Sequence, residues 1–351
     1  MFEDLLRAWD GEEVVARYDA PTDSWMFVCV HSTRLGPAAG GTRMKAYAAP
    51  HDALRDGLRL STAMTSKNAV AGLPLGGGKA VLAVPEVPQG ERRRELLLRY
   101  AALVESLGGT YVTACDMNTS ETDMDVVAEC TRHVMGRTVE NGGSGSSGPA
   151  TAVGVFHGIR AAVAHAFGSD ALSERSVLIQ GVGAVGRVLA GLLAEAGARL
   201  ILADVDEARA KGAAAELGAE VMAAEQAVAA ECDVLSPCAT GGVLNRVTIP
   251  ALRCRVVAGA ANNQLGAPED ADTLAERGIL YAPDYVVNAG GIIHLASLEL
   301  LGEGETERDA RLRGIADTLA ECFGIADAEG ISTGAAAERM VTERLAAGPP
   351  A

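Results

Sequence analysis

Two lysines, Lys67 and Lys79, stand in the stretch MTSKNAVAGLPLGGGKA (residues 64–80), which holds no other charged side chain. Lys79 follows Gly76-Gly77-Gly78 and opens an apolar run to Val84. Consecutive glycines cost entropy on folding, so they mark a place where another group approaches the backbone closely. A lysine beside such a loop and apolar surface is partly desolvated, which lowers its pKa and suits it to carry a proton. A P-loop would need Ser or Thr directly after the lysine, and Ala80 stands there. Asp116 supplies a third ionisable group, at the end of the apolar run TYVTAC. Each feature has a plainer alternative: turn glycines with solvated lysines, a cation at a helix end, a capping aspartate. The deciding residues lie downstream.

In the second half, the apolar strand 176–180 runs into Gly181-Val182-Gly183-Ala184-Val185-Gly186, a helix follows, and the next strand ends at Asp204, 23 residues after Gly181. That context makes G-x-G-x-x-G a dinucleotide fingerprint. Gly181 permits the tight turn, Gly183 the approach of a pyrophosphate and Gly186 the packing of helix on strand, while the helix N-terminus faces the phosphate charge. Asp204 would accept hydrogen bonds from a ribose diol and repel a 2′-phosphate, which favours NAD over NADP. Further strands are predicted at 220–222, 233–235, 255–257 and 279–282. The segments Ala239 to Gly242 (including Thr240 and Gly241), Gly259 to Asn263 and Val287 to Gly291 follow strands in turn, and so gather at the carboxyl ends where a nicotinamide belongs.

The elements that must position these groups divide the chain in two. Two strands (13–19 and 25–32), a glycine-rich loop (35–43), a helix (50–67), a helix (90–107) and a strand (110–115) precede the Gly/Ser-rich linker GGSGSSGP at 142–149. Ser120 and Asp123 form a weak capping box. A helix from Thr151 to Phe167 then leads into alternating strands and helices; His157 and His165 on it are ordinary helix residues. Residues 306–345 are helical, and the last part is expected to pack back on the first domain. If Lys79 begins its strand and Asp116 ends another, the two can meet only if strands 80–84 and 110–115 run antiparallel. A parallel pair of six-residue strands would hold them about 20 Å apart.

The bulk properties suggest a soluble intracellular protein. At 351 residues, two domains are expected. A net charge of −16 without a basic stripe argues against nucleic acid and anionic membrane as partners. Seven irregularly spaced cysteines without a C-x-x-C pair read as free thiols in a reducing cytoplasm, with no metal site. The acidic N-terminus lacks the features of a signal peptide, and no apolar run reaches membrane-spanning length.

The strings GPAAGGTR, MTSKNAVAGLPLGGGKA, TACDMNT, GVGAVG, AGAANNQL and YAPDYVVNAGG resemble the glutamate/leucine/phenylalanine/valine dehydrogenase family over nearly the whole chain. The resemblance implies reversible, NAD-dependent oxidative deamination of an L-amino acid to its 2-oxo acid and ammonia. It implies an α/β fold with a mixed α/β substrate domain (residues 1–147, plus about 325–351), which also carries oligomerisation. A Rossmann doubly wound parallel-sheet NAD domain (148–324) completes it, with a cleft between the two. Lys67 then holds the substrate α-carboxylate. Lys79 polarises the carbinolamine oxygen and activates water. Asp116 exchanges protons with the amino group, and Asn262 and Asn288 position amine and nicotinamide. Gly40, Gly41, Ala39, Met64, Ala114, Ile292 and Leu295 belong to the substrate pocket and Thr151 to the cofactor site. Glutamate members carry a lysine at the position of Ala39, so glutamate is not expected here. Branched-chain and phenylalanine members usually carry leucine there, and Ala39 departs from both. NAGGIIHL and Asn118 look closer to the phenylalanine members and Cys115 to the valine ones. The resulting expectation is an aromatic substrate, with a branched-chain one as the alternative. Ser146-Ser147-Gly148 replaces an Asp-Pro pair common in the family hinge. A dinucleotide-binding regulator without catalysis is the alternative from another class.

Overall fold

The computed structural model describes residues 2–349. Its first unit comprises the chain to Ser146, Leu295–Gly304 and the residues from Glu343 onward. In order it holds α1 (Phe2–Ala8), β1 (Glu13–Asp19), β2 (Ser24–Ser32), β3 (Ala38–Lys45), α2 (Pro50–Val70), β4 (Gly76–Ala83), α3 (Gly90–Ser106), β5 (Tyr111–Cys115) and α4 (Glu121–Ala128). The sheet order is β1-β2-β4-β3-β5. Alternation along β2 feeds two cores, as the period of a strand requires. Met26, Val28 and Val30 join Leu82, Leu96, Tyr100, Tyr111 and Met124 on the side of α3 and α4. Phe27 and Cys29 join Val81, Leu54 and Leu58 on the side of α2.

The sheet is mixed, but not in the way the sequence suggests. β2 pairs with β1 and β4 antiparallel, whereas β3 pairs with both β4 and β5 in parallel. The strands carrying Lys79 and leading to Asp116 therefore run in the same direction, which corrects the antiparallel expectation. The two residues still meet because Gly76-Gly77-Gly78 is strand and not loop. Lys79 is thus the fourth residue of β4, and the pairs Ala39↔Gly77 and Thr42↔Ala80 put it level with Gly41. Gly41 in turn pairs with Ala114, two residues before Asp116. The glycine-rich stretch 35–43 is likewise mostly strand β3.

Packing explains the glycines. A Cβ on Gly77 would lie 2.1 Å from the backbone nitrogen of Thr65 in α2, and one on Gly78 2.7 Å from the Tyr111 ring. Gly77→Ala must push α2 off the sheet. A loss of about 2–3 kcal/mol is expected, seen as a lower melting temperature; an unchanged one would contradict this contact.

The second unit, Ser147–His294 with Glu305–Thr342, begins with α5 (Gly148–Phe167), β6 (Ser176–Gln180), α6 (Ala184–Glu195), β7 (Arg199–Ala203), α7 (Glu207–Leu217) and β8 (Glu220–Met222). β9 (Val234–Pro237), β10 (Val256–Val257), α8 (Asp270–Glu276), β11 (Leu280–Tyr281), α9 (Asp284–Val287) and α10 (Gly290–Leu295) follow, then α11 (Glu305–Glu329) and α12 (Thr333–Ala347). Its six strands, in the order β11-β10-β9-β6-β7-β8, are all parallel. This is the doubly wound sheet of a Rossmann domain.

The expected linker contains the division at Ser146/Ser147, and α5 begins three residues before Thr151. The C-terminal return is shorter than expected. α11 and most of α12 belong to the second unit, and the chain rejoins the first only at Glu343, while Leu295–Gly304 joins it unexpectedly. The reason lies in α11, whose apolar side chains Ile315 and Leu319 reach the small residues Gly154 and Gly158 of α5. Arg344 donates to the carbonyls of Ala69 (3.4 Å) and Val70, which leaves a cation at the C-terminal end of α2. All seven cysteines are free thiols. Among the described residues, no helix is long and apolar enough to cross a membrane, and no His/Cys/Asp/Glu group could hold a metal ion.

Candidate active site

In the first unit the ionisable residues converge on Asp116. Lys79 Nζ lies 3.0 Å from Asp116 Oδ2, and Arg43 Nε lies 2.9 Å from the same oxygen. Arg43 also reaches Asp56 Oδ2 at 3.0 Å, and Asp56 accepts from Tyr47 Oη at 2.7 Å and Arg59 Nη2 at 2.8 Å. Local structure fixes Asp116. Its N–H donates to Thr119 Oγ1 at 2.8 Å, and that hydroxyl donates to the Thr42 carbonyl at 2.8 Å. Asn118 takes a left-handed φ of 59° in the turn between them. The full capping box at Ser120 and Asp123 starts α4 directly afterwards, and Arg93 holds Asp123 at 2.6 Å. Gly41 leaves the space: a Cβ there would stand 2.8 Å from Asp116 Cβ.

The Lys79 side chain is 7 % exposed and that of Asp116 25 %. Burial pushes the Lys79 ammonium pKa down and Arg43 adds to this, while Asp116 opposes it. For Asp116, burial alone would raise the pKa, but Lys79 and Arg43 outweigh it and hold the carboxyl at about 2. The pair is therefore an anionic carboxylate touching a lysine whose proton is loosened.

Lys67 stands in the last turn of α2 and is half-buried, as is Met64. Met64 Cγ is 3.3 Å from where a Cβ of Gly40 would be. Ala39 is fully buried, and Ala114 and Leu295 nearly so. Sequence reasoning gave no role to Arg43, Asp56, Tyr47 or Thr119. Arg43 stands inside the string GPAAGGTR, and strand alternation from Gly41 would have aimed it at the Lys79 side, had that stretch been read as strand.

In the second unit, Gly181 has φ 103°, and a Cβ on Gly186 would lie 1.9 Å from the Gly181 carbonyl oxygen. A Cβ on Gly183 would meet nothing within 4 Å. The N-terminus of α6, opening on Ala184 and Val185, has no side-chain cap, so its N–H groups are open to an anion. Val182 N–H donates to Asp204 Oδ2 at 2.7 Å and Asp206 N–H to Oδ1 at 2.9 Å. Burial would raise the Asp204 pKa, but these amides and Arg209 outweigh it and hold the carboxyl below its usual range. Asn288 donates to Asn262 Oδ1 at 3.0 Å and to the Ala260 carbonyl at 3.0 Å. Its own Oδ1 is buried without a partner, an acceptor that a carboxamide N–H would satisfy. Ala239, Thr240 and Gly241 are exposed, starting two residues after the end of β9. Thr151 donates to the Ser147 carbonyl at 2.9 Å beside Gly291, and Ile292 is buried in α10. The residues present fit a dinucleotide on three counts: an uncapped helix start, an open glycine and an orphaned amide oxygen.

The family descriptions "Glu/Leu/Phe/Val dehydrogenase, dimerisation domain" and "Glutamate/Leucine/Phenylalanine/Valine dehydrogenase" match residues 25–133 and, in two overlapping segments, 142–208 and 202–346. A leucine dehydrogenase of Thermoactinomyces intermedius is 42% identical over 97% of this chain and 93% of that protein. A valine dehydrogenase of Streptomyces coelicolor is 44% identical over the same shares. The crystal structure of L-tryptophan dehydrogenase from Nostoc punctiforme superimposes with a TM-score of 0.85 at 36% identity, covering 99% of both chains. The leucine and valine relatives give the expected phenylalanine preference no support. The chain belongs to the glutamate/leucine/phenylalanine/valine dehydrogenase family and is an NAD-dependent amino acid dehydrogenase.

Proposed function

We propose that this enzyme carries out reversible oxidative deamination of an apolar L-amino acid, branched aliphatic ones first, and that Lys79 and Asp116 move its protons. The observation that carries the proton chemistry is the 3.0 Å contact between Asp116 and a lysine 7 % exposed. The branched-chain reading is supported by relatives 42–44% identical over nearly the whole chain. The first unit binds substrate and the second binds NAD.

Lys67 anchors the α-carboxylate and so fixes the α-carbon. Asp116 takes a proton from the substrate ammonium, leaving a free amine. Asn288 and Asn262 would hold the nicotinamide and the amine, and the chemistry that NAD would supply when bound is a hydride acceptor for the α-carbon. Water then adds to the substrate iminium. Lys79, in its neutral form, removes the proton from that water and later stabilises the carbinolamine oxygen. As the C–N bond breaks, Asp116 returns a proton to the nitrogen and the carbinolamine hydroxyl passes its proton to the departing ammonia, which leaves as ammonium, while Lys79 releases the water proton to solvent. In the first unit, Ala39, Gly40, Gly41, Met64, Ala114 and Leu295 line the space for the side chain. The described dimerisation region supports a homo-oligomer.

A second reading, an aromatic substrate, is favoured by the small residue Ala39 and by the likeness to a tryptophan dehydrogenase. A panel of 2-oxo acids with NADH and ammonia separates the two. The highest kcat/KM is expected for 4-methyl-2-oxopentanoate or 3-methyl-2-oxobutanoate, with phenylpyruvate and indolepyruvate lower. 2-Oxoglutarate should fall about a thousandfold behind, since an unpaired carboxylate in an apolar pocket costs several kcal/mol. A best rate with 2-oxoglutarate would overturn the apolar assignment. Lys67→Ala should chiefly raise KM, by about 10–100-fold for one charge-assisted contact; an unchanged KM would remove Lys67 from the site.

A further inference from the structure

Asp116 uses one oxygen for both of its cations. Lys79 Nζ and Arg43 Nε each contact Oδ2, at 3.0 and 2.9 Å, and among the described residues nothing donates to Oδ1. Arg43 is itself held from behind. Its Nη1 is 3.0 Å from Asp56, which Tyr47 and Arg59 hold in turn. Arg43 and Asp56 have side chains only 16 % and 15 % exposed, so solvent screens them weakly.

We infer that Arg43, backed by Asp56, is a positioning residue: it pins Asp116 by Oδ2 beside Lys79, which leaves Oδ1 as the oxygen that exchanges the substrate's amine proton. The inference rests on the proton-transfer roles of Lys79 and Asp116. A point-charge lysine at position 43 could neutralise Asp116 but could not bridge the two aspartates with separate nitrogens in a fixed plane. The same array tunes Lys79. The charges that act on Lys79 are Asp116 after β5, Arg43 on β3 and Asp56 on α2; of the other titratable groups on the packed elements, α2 also carries Lys67, β2 carries Cys29 and His31, and Tyr47 after β3 is bonded to Asp56. Cys29, which pairs with Lys79 across the strands, is pushed up to about 12 by burial and is neutral. Arg43 disfavours the Lys79 ammonium, and Asp56 favours it.

The sign of each effect follows. Removing the positive Arg43 raises the Lys79 pKa, so deamination, which needs neutral Lys79, requires higher pH. Removing the negative Asp56 lowers that pKa, so the activity rises at lower pH. The experiment is kcat against pH for Arg43→Gln, Arg43→Lys and Asp56→Asn, with NADH affinity by fluorescence and circular dichroism as folding controls. Arg43→Gln is expected to lose about 10–100-fold in kcat and shift its rising limb alkaline. Asp56→Asn should shift the limb acid. Arg43→Lys should keep the limb near its original position while still losing turnover. Opposite displacements are the signature, because general loosening would move both variants alike. Limbs that stay put, or shift together, overturn the inference; if Arg43→Gln does not fold, Arg43→Lys and Asp56→Asn decide it. Lys79→Ala in the same assay tests the separate premise: full turnover there would remove the proton-transfer reading itself.

Discussion

Lys79→Ala lowers kcat for oxidative deamination by about 10²–10⁴, the range typical for losing a positioned general acid–base, while NADH affinity changes less than about twofold. The first half of this expectation comes from the position of Lys79 within β4, where backbone pairing to β2 and β3 fixes its Cα. The other cation on Asp116, Arg43, cannot replace it as a proton carrier, because it keeps its charge at all working pH values. The second half comes from the division of the chain, since every predicted dinucleotide contact lies in the second unit. Stopped-flow turnover and fluorescence titration with NADH check both. A variant that kept a tenth of the turnover would contradict the assignment.

Asp204 is expected to hold NAD over NADP by about 10²–10³ in kcat/KM, and Asp204→Ser to collapse that ratio. Backbone amides of Val182 and Asp206 fix the carboxylate in its ionised form. Oδ2, which accepts from Val182 N–H, retains a second lone pair for a ribose hydroxyl. A 2′-phosphate would meet a fixed anion, and such like-charge contacts cost several kcal/mol. Arg209 gives no relief, because it lies 3.4 Å from Asp204 and 3.2 Å from Asp206 and is balanced by both. The variant should also bind NAD more weakly, since the Val182 amide loses its acceptor. Steady-state kinetics with the two cofactors measure the ratio; equal wild-type rates with NADP would refute the role of Asp204.

The dinucleotide half was legible because its signals are local. Strand, glycine turn, helix and acidic strand end follow one another within 29 residues, and β6, β7 and β8 start and stop where the sequence predicts. The first unit was less legible. Glycine is depleted in strands, so Gly76-Gly77-Gly78 read as a loop. They are strand because α2 and Tyr111 pack too close for any side chain, and only the assembled sheet reveals that. The antiparallel expectation failed on those three residues, although Lys79 and Asp116 do meet. Arg43 was missed for a related reason. Its partner Asp116 is 73 residues away, and no local pattern links them. At the C-terminus, helical periodicity identified 306–345 but not its partner, since small residues on α5 and apolar ones on α11 match only once folded together.

The most direct measurement of the central claim is kcat for deamination as a function of pH, in the wild type and in Lys79→Ala. Burial and Arg43 depress the Lys79 pKa, so its deprotonated, water-activating form should accumulate below the ordinary lysine value of about 10.4. The wild-type rate should rise through a single deprotonation in that lower range. The residual rate of Lys79→Ala should lack this limb. The same limb persisting in Lys79→Ala would mean that another group carries the proton.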